Sequence, residues 1–144
     1  MNTKHVPDLE LSKKFAEICR EKRIVVPKTE YQWEIGGKLS GKTTANLVST
    51  NRQSSYSSAD SAWSYIPAPL VSEQGEWLPN ERRDKLAFFS GLAINGWFCE
   101  VKNYRVMPYE RFHVILQEDT EANARMKCLL YLLENDIIDG NAFN

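Results

Sequence analysis

Apolar side chains recur along residues 8–23 at the spacing of one helix face, with Leu11, Phe15, Ile18 and Cys19 at i, i+4, i+7 and i+8. Pro7 precedes this stretch, and Lys22 and Arg23 close it where a helix dipole favours cations. Lys13, Lys14, Glu17, Arg20 and Glu21 form its solvated side. The period then changes. Thr29, Tyr31, Trp33 and Ile35 alternate with Glu30, Gln32 and Glu34, which predicts a half-buried antiparallel strand over 29–35, with Pro27 at its start or on an edge. From residue 36 to 62 the pattern dissolves into glycine, serine, asparagine and glutamine, apart from a short strand over 45–50. A 27-residue stretch without structure is unusual in a small domain, so residues 36–62 read as a long loop or a hairpin insertion.

Residues 63–66 lead, extended, into Pro67-Ala68-Pro69, and the prolines pre-set a short helix over 70–77 that Pro79 stops. A hairpin comes next. Residues 86–94 and 97–106 flank Asn95-Gly96, a dipeptide that favours a two-residue turn. With that turn Ile94 faces Trp97, Leu92 faces Cys99 and Ser90 faces Val101, and Phe88 and Leu86 continue the apolar side. A last strand over 112–117 precedes a helix over 120–135. Thr120 suits its N-cap, and Ala122, Met126, Leu129, Leu130, Leu133 and Ile137 form its stripe. The fold class is α+β: an antiparallel sheet with an N-terminal, a short middle and a C-terminal helix packed on it, in one domain over residues 1–144. The hairpin residues Leu86, Phe88, Leu92, Ile94, Trp97, Cys99 and Val101 are expected to meet Met126, Leu129, Leu130 and Leu133. That core is the rigid platform, and residues 36–62 are the variable part.

Composition adds limits more than identity. With 42% hydrophobic and 26% charged residues, the chain can bury a core without staples. No apolar run approaches the roughly 20 residues that span a bilayer, and residues 1–8 lack the apolar stretch of a secretion signal, so a cytoplasmic protein without membrane contact is expected. Net charge is -1. Residues 1–72 carry ten Lys/Arg against seven Asp/Glu, and residues 73–144 eight against twelve. A basic face of Lys13, Lys14, Arg20, Lys38, Lys42 and Arg52 can be imagined on a phosphate backbone, but the acidic second half disfavours nucleic acid as the partner. Cys19, Cys99 and Cys128 are widely spaced and odd in number, which fits reduced thiols serving as small core residues; no metal site is expected from them and the two histidines.

One motif carries potential chemistry. Gly36-Gly37-Lys38-Leu39-Ser40-Gly41-Lys42-Thr43 fits the phosphate-binding loop pattern G-x-x-x-x-G-K-[ST] and comes after a predicted strand. In such a loop Gly36 and Gly41 free backbone N–H groups to cradle phosphates, Lys42 reaches the β- and γ-phosphates, and Thr43 holds Mg²⁺. Its surroundings argue otherwise: the preceding strand alternates instead of being continuously apolar, and the residues after Thr43 lack a helix face. The competing reading is a Gly/Lys-rich loop between two antiparallel strands. No catalytic residues emerge. Glu73, Glu76, Glu81 and Asp84 read as a solvated acidic run, and His113 as a structural strand histidine. Tyr104, Arg105, Tyr109 and Arg111 interleave aromatic and basic groups and are the candidate partner-binding residues.

Ile66-Pro67-Ala68-Pro69 with Gly75-Glu76-Trp77-Leu78-Pro79, and the stretch Thr120-Glu121-Ala122-Asn123-Ala124-Arg125-Met126-Lys127-Cys128-Leu129-Leu130-Tyr131-Leu132-Leu133-Glu134-Asn135, resemble segments of small phage- and prophage-encoded proteins of uncharacterised function. The resemblance covers residues 66–137 best. It implies a phage-related origin and a small accessory role, and no activity. A non-enzymatic accessory protein that binds a host or phage protein, for instance to inhibit a host defence complex, is therefore the first expectation. A nucleotide-binding protein using Gly36, Gly41, Lys42 and Thr43 with Mg²⁺ is the alternative, and a nucleic-acid-binding module a further one.

Overall fold

Asp8 starts the first helix: its carboxylate accepts the N–H of Leu11 at 2.9 Å, which satisfies one of the four N–H groups a helix start leaves unpaired. The computed structural model describes residues 3–36, 44–50, 64–79, 86–103 and 110–143. Helix α1 spans Leu9–Glu21 and buries Leu11, Phe15 and Cys19, with Ile18 packed beside them, which is the face its spacing marks out. It ends at Lys22, and Arg23 turns away with φ 56°.

Strands β1 (Tyr31–Gly36), β2 (Thr44–Ser49) and β3 (Ser64–Ala68) form an antiparallel sheet in the order β2-β1-β3. The sequence pattern gives residues 63–66 only an extended lead, because Pro67 cannot donate to a ladder. It is accommodated opposite Gln32 because β3 is an outer strand. Helix α2 (Val71–Trp77) comes next, and Glu73 holds its start: the carboxylate accepts the Leu70 N–H at 2.8 Å and the Glu30 N–H at 3.2 Å, joining the helix to the approach to β1.

A second antiparallel sheet, β4 (Ala87–Ala93), β5 (Gly96–Asn103) and β6 (Glu110–Glu118), runs in the order β4-β5-β6. The fold is α+β; among the described residues there are three α-helices, and the strands divide into two three-stranded sheets where the sequence implies one. The β4–β5 turn also differs. Ala93 pairs with Gly96, so Ile94 and Asn95 form the turn; Leu92 lies opposite Trp97, Ser90 opposite Cys99 and Phe88 opposite Val101. β4 is thus slid along its expected partner by one even step, which changes every pair but leaves every side chain on its expected face. Gly96 pairs with Ala93 and also lies against the end of β6. It has φ 136°, and a Cβ there would stand 2.8 Å from the Glu118 carbonyl oxygen. The slide takes Ile94 fully into solvent and leaves Leu92 68% exposed, so neither belongs to the core.

Helix α3 (Glu121–Glu134) starts at Thr120, whose hydroxyl accepts the Asn123 N–H at 3.1 Å. It touches α1, α2 and all three strands of the second sheet, and Ala122, Ala124, Met126, Cys128, Leu129, Leu130, Leu132 and Leu133 are all buried. Apolar residues nearly all round mark a helix enclosed by the fold. Cys128 meets Cys99 of β5. Helix geometry sets Met126 and Leu130 about 200° round from Cys128, on the side where Asn123 reaches the start of α1. Met126 and Leu130 therefore lie on the side toward α1, while the sheet side carries Cys128 together with Arg125, which reaches Ser90 of β4. Beyond α3, a short 3-10 turn, Gly140–Phe143, folds Phe143 back onto Trp77 (ring centroids 5.1 Å apart) and Phe15 (6.0 Å).

All three cysteines are free and buried. Burial pushes the Cys19 thiol up to about 11 from an ordinary value near 9. The hydrogen bond with Cys99, reinforced by burial, holds the Cys128 thiol above its ordinary value.

Candidate binding cleft at the paired helix starts

The N-termini of α1 and α3 lie side by side and are clasped to each other. The Asp8 N–H donates to Asn123 Oδ1 at 2.9 Å, and Asn123 Nδ2 donates to Asp8 Oδ2 at 3.4 Å. Each helix start thus uses its own capping oxygen internally and a second polar group on its neighbour. Just before α1, the turn Thr3–His5 presents Lys4 and His5, both exposed. Trp33 of β1 donates its indole N–H to the Pro7 carbonyl at 3.3 Å, which fixes its ring beside the same helix start. Trp97, at the beginning of β5, approaches from the other sheet.

Two adjoining cavities result. One, of about 410 Å³, is lined by Lys4, His5, Val71, Trp97, Asp119, Thr120 and Glu121. The other, of about 310 Å³, lies over Asp8 and Asn123 and is lined also by Trp33 and Val6. They share Lys4, Asp119 and Thr120, so they form one two-lobed surface cleft with a tryptophan in each lobe. Its charges are mixed. Lys4 is cationic, and Asp119 is an exposed anion between the lobes. Glu121 is committed elsewhere: it accepts the Ser90 hydroxyl at 3.0 Å and lies 3.8 Å from Arg125.

The cleft offers aromatic faces, a fixed hydroxyl and charges of both signs. That composition suits burial of side chains from another protein, in which tryptophan anchors carry much of the affinity. In it the Thr120 hydroxyl accepts the Asn123 N–H as a cap, and the three cysteines lie in the core. Among the described residues no cluster of three or more His, Cys, Asp or Glu could hold a metal ion.

The residues singled out from sequence fall elsewhere. Gly36 closes β1 opposite Thr44 of β2, and Gly41, Lys42 and Thr43 lie outside the described residues. The motif leads into an antiparallel strand, where a phosphate-binding loop requires a helix N-terminus to face the phosphates. Tyr104, Arg105 and Tyr109 also lie outside the described residues, and Arg111 is placed by its backbone alone, opposite Lys102. Of the imagined basic face, Lys13 lies 3.5 Å from Glu10, Lys14 and Arg20 are exposed on α1, and Lys38, Lys42 and Arg52 are outside the described residues. Within the acidic run, Glu73 is a helix-capping group. The residues that line the cleft come from positions 3–8, 33, 71, 97 and 119–123, a spread that leaves no local motif. The legible part was Thr120 as a cap and Trp33 on a half-buried face.

No family model matches the chain, and neither a curated protein nor a solved structure is similar to it. Among the described residues no helix is long and apolar enough to cross a membrane.

Proposed function

We propose that this chain acts by binding another protein, as a non-enzymatic accessory protein of phage or prophage type working in the host cytoplasm. The observation that carries the reading is the two-lobed cleft with Trp33 and Trp97 in its walls and Lys4 and Asp119 at its centre. Buried tryptophans ringed by polar groups are the usual make-up of energetic hot spots at protein interfaces. The clasp between Asp8 and Asn123 supports the reading, because a cleft held by fixed caps loses little freedom on binding. The partner is a host or phage protein, and inhibition of a host defence complex is one form this binding takes.

A photo-crosslinking side chain placed at Lys4 or Asp119, in cells of the native host, tests this. A discrete crosslinked protein that disappears when Trp33→Ala is added is the expected result. Crosslinking no stronger than at a distant control position such as Val25, together with turnover of a compound in a metabolite screen, would overturn it.

A further inference from the structure

We propose that the outer edge of β4 is a self-pairing surface: two copies of the chain join β4 to β4, antiparallel about a two-fold axis at Ser90, into one six-stranded sheet. The inference is independent of the cleft. It starts from ladder parity. Because Ala93 and Gly96 close the two-residue turn, they exchange hydrogen bonds, and bonding then alternates along β4. Ala87, Phe89, Gly91 and Ala93 bond to β5. The backbone N–H and C=O groups of Phe88, Ser90 and Leu92 point outward, and no hydrogen bond among the described residues engages them.

An open edge is ordinarily blunted by charge, proline or bulges. The other outer strand of this sheet, β6, carries such devices: two register irregularities against β5, and Glu110, Arg111 and Glu118 in its sequence. β4 has none. From Leu86 to Cys99 the chain contains no charged residue and no proline, and the β4–β5 ladder runs without a shift. The edge is also held rigid from behind. Arg125 donates from Nε to the Ser90 hydroxyl at 2.9 Å and from Nη1 to the Val71 carbonyl at 2.7 Å, and its guanidinium lies 5.0 Å from the centre of the Phe88 ring.

The strand is complementary to itself. A two-fold at Ser90 is the register that pairs all three outward residues with one another: Ser90 with Ser90 of the second copy, and Phe88 with Leu92 in both directions. It also sets Phe89, 54% exposed, opposite the bare backbone of Gly91, and covers Leu92, 68% exposed, with an aromatic neighbour. The run itself carries no charge, and the Arg125 guanidinium behind Ser90 is balanced by Glu121 at 3.8 Å, so a second copy fits this edge better than a charged segment does. A contact of this kind is isologous and closes on itself.

Sedimentation velocity over a concentration series, up to millimolar protein, tests the proposal. The full chain should self-associate to a dimer and no further, with little change between low and high salt, since the pairing is uncharged. Leu92→Lys should weaken association by at least about tenfold. Leu92→Pro, which removes an outward N–H and no ladder bond, should do the same. Circular dichroism and melting confirm that both remain folded, and Val25→Lys, far from the strand and 88% exposed, should leave association unchanged. Register is tested separately. Ala87→Cys with Ala93→Cys should give a disulfide-linked dimer with oxidised glutathione, and Ala87→Cys alone should not. A wild-type chain that stays monomeric throughout, or a dimer that persists undiminished in both folded Leu92 variants, overturns the proposal.

Discussion

Asp8 and Asn123 bind each other through two hydrogen bonds across 115 residues of sequence, and so fasten the first turn of α1 to the first turn of α3. Each also serves its own helix: Asp8 Oδ1 caps Leu11, and the Asn123 N–H is capped by Thr120. Both side chains are exposed enough for water to compete, so each bond adds modestly. Asn123→Ala is expected to lower stability by about 1 kcal/mol, and Asp8→Ala by about 1 kcal/mol through loss of the cap. In a double-mutant cycle by urea denaturation the pair should show a coupling of about 0.5 kcal/mol or more. Strict additivity would mean the side chain–side chain bond contributes nothing; the bond from the Asp8 backbone N–H survives Asp8→Ala and is removed by Asn123→Ala alone.

Gly96 is the most constrained glycine described. Its φ of 136° disfavours any L side chain, and a Cβ would meet the Glu118 carbonyl oxygen at 2.8 Å. Gly96→Ala should therefore destabilise by about 1–3 kcal/mol or more, whereas Asn95→Ala, in the exposed turn, should change stability by less than about 1 kcal/mol. Chemical denaturation of both variants checks this, and equal effects would contradict a special backbone and close approach at Gly96.

The aromatic cluster of Phe15, Trp77 and Phe143 joins α1, α2 and the C-terminal turn. Trp77→Ala is expected to cost about 3–5 kcal/mol, and Leu130→Ala, at 5% exposure, about 2–5 kcal/mol. A Leu130→Ala variant that melts like wild type would remove that residue from the core.

Alkaline pH should weaken the fold through Cys19. Its thiol is raised by burial, so the native chain keeps a proton that the unfolded chain releases. The contribution is full below pH 9, and it is lost as pH rises from 9 towards 11, the native value. The slope from this one group is at most about 1.4 kcal/mol per pH unit. Denaturation midpoints of wild type and Cys19→Ala across that window test the sign: the wild type should lose stability faster.

The motif over residues 36–43 is expected not to bind nucleotide, since strand β2 follows it directly. A true phosphate-binding loop would gain about 2.7 kcal/mol at 100 times Kd, visible as a rise in melting temperature. ATP or GTP with Mg²⁺ is expected to leave melting unchanged, and Lys42→Ala to behave alike. A shift abolished by Lys42→Ala would reinstate the nucleotide reading.

The parts of the fold legible in sequence are those set by local periodicity and capping. Leu11, Phe15 and Cys19 announce α1, Thr120 announces the start of α3, and the alternation from Tyr31 announces β1. Long-range choices left no local trace. β3 is hidden by Pro67, whose tolerance depends on its being an outer strand. The β4–β5 register puts Gly96 in the ladder rather than in an Asn95-Gly96 turn, with β6 close against it. Periodicity shows that α3 has an apolar stripe but not which neighbour the stripe faces, and here the sheet takes Cys128. The cleft was less legible still, because Lys4, Trp33, Trp97 and Asp119 are brought together only by the packing of two helix starts between two sheets.

The central claim, that the cleft binds a protein, is tested most directly by calorimetric titration of the crosslinked partner against the wild-type chain and the Trp33→Ala and Asp119→Lys variants. Trp33→Ala should weaken binding by about 2 kcal/mol or more, roughly thirtyfold, and Asp119→Lys should weaken it measurably, with near-ultraviolet circular dichroism confirming that both variants are folded. Affinities equal to wild type in two folded variants would contradict the account and move the binding surface elsewhere on the molecule.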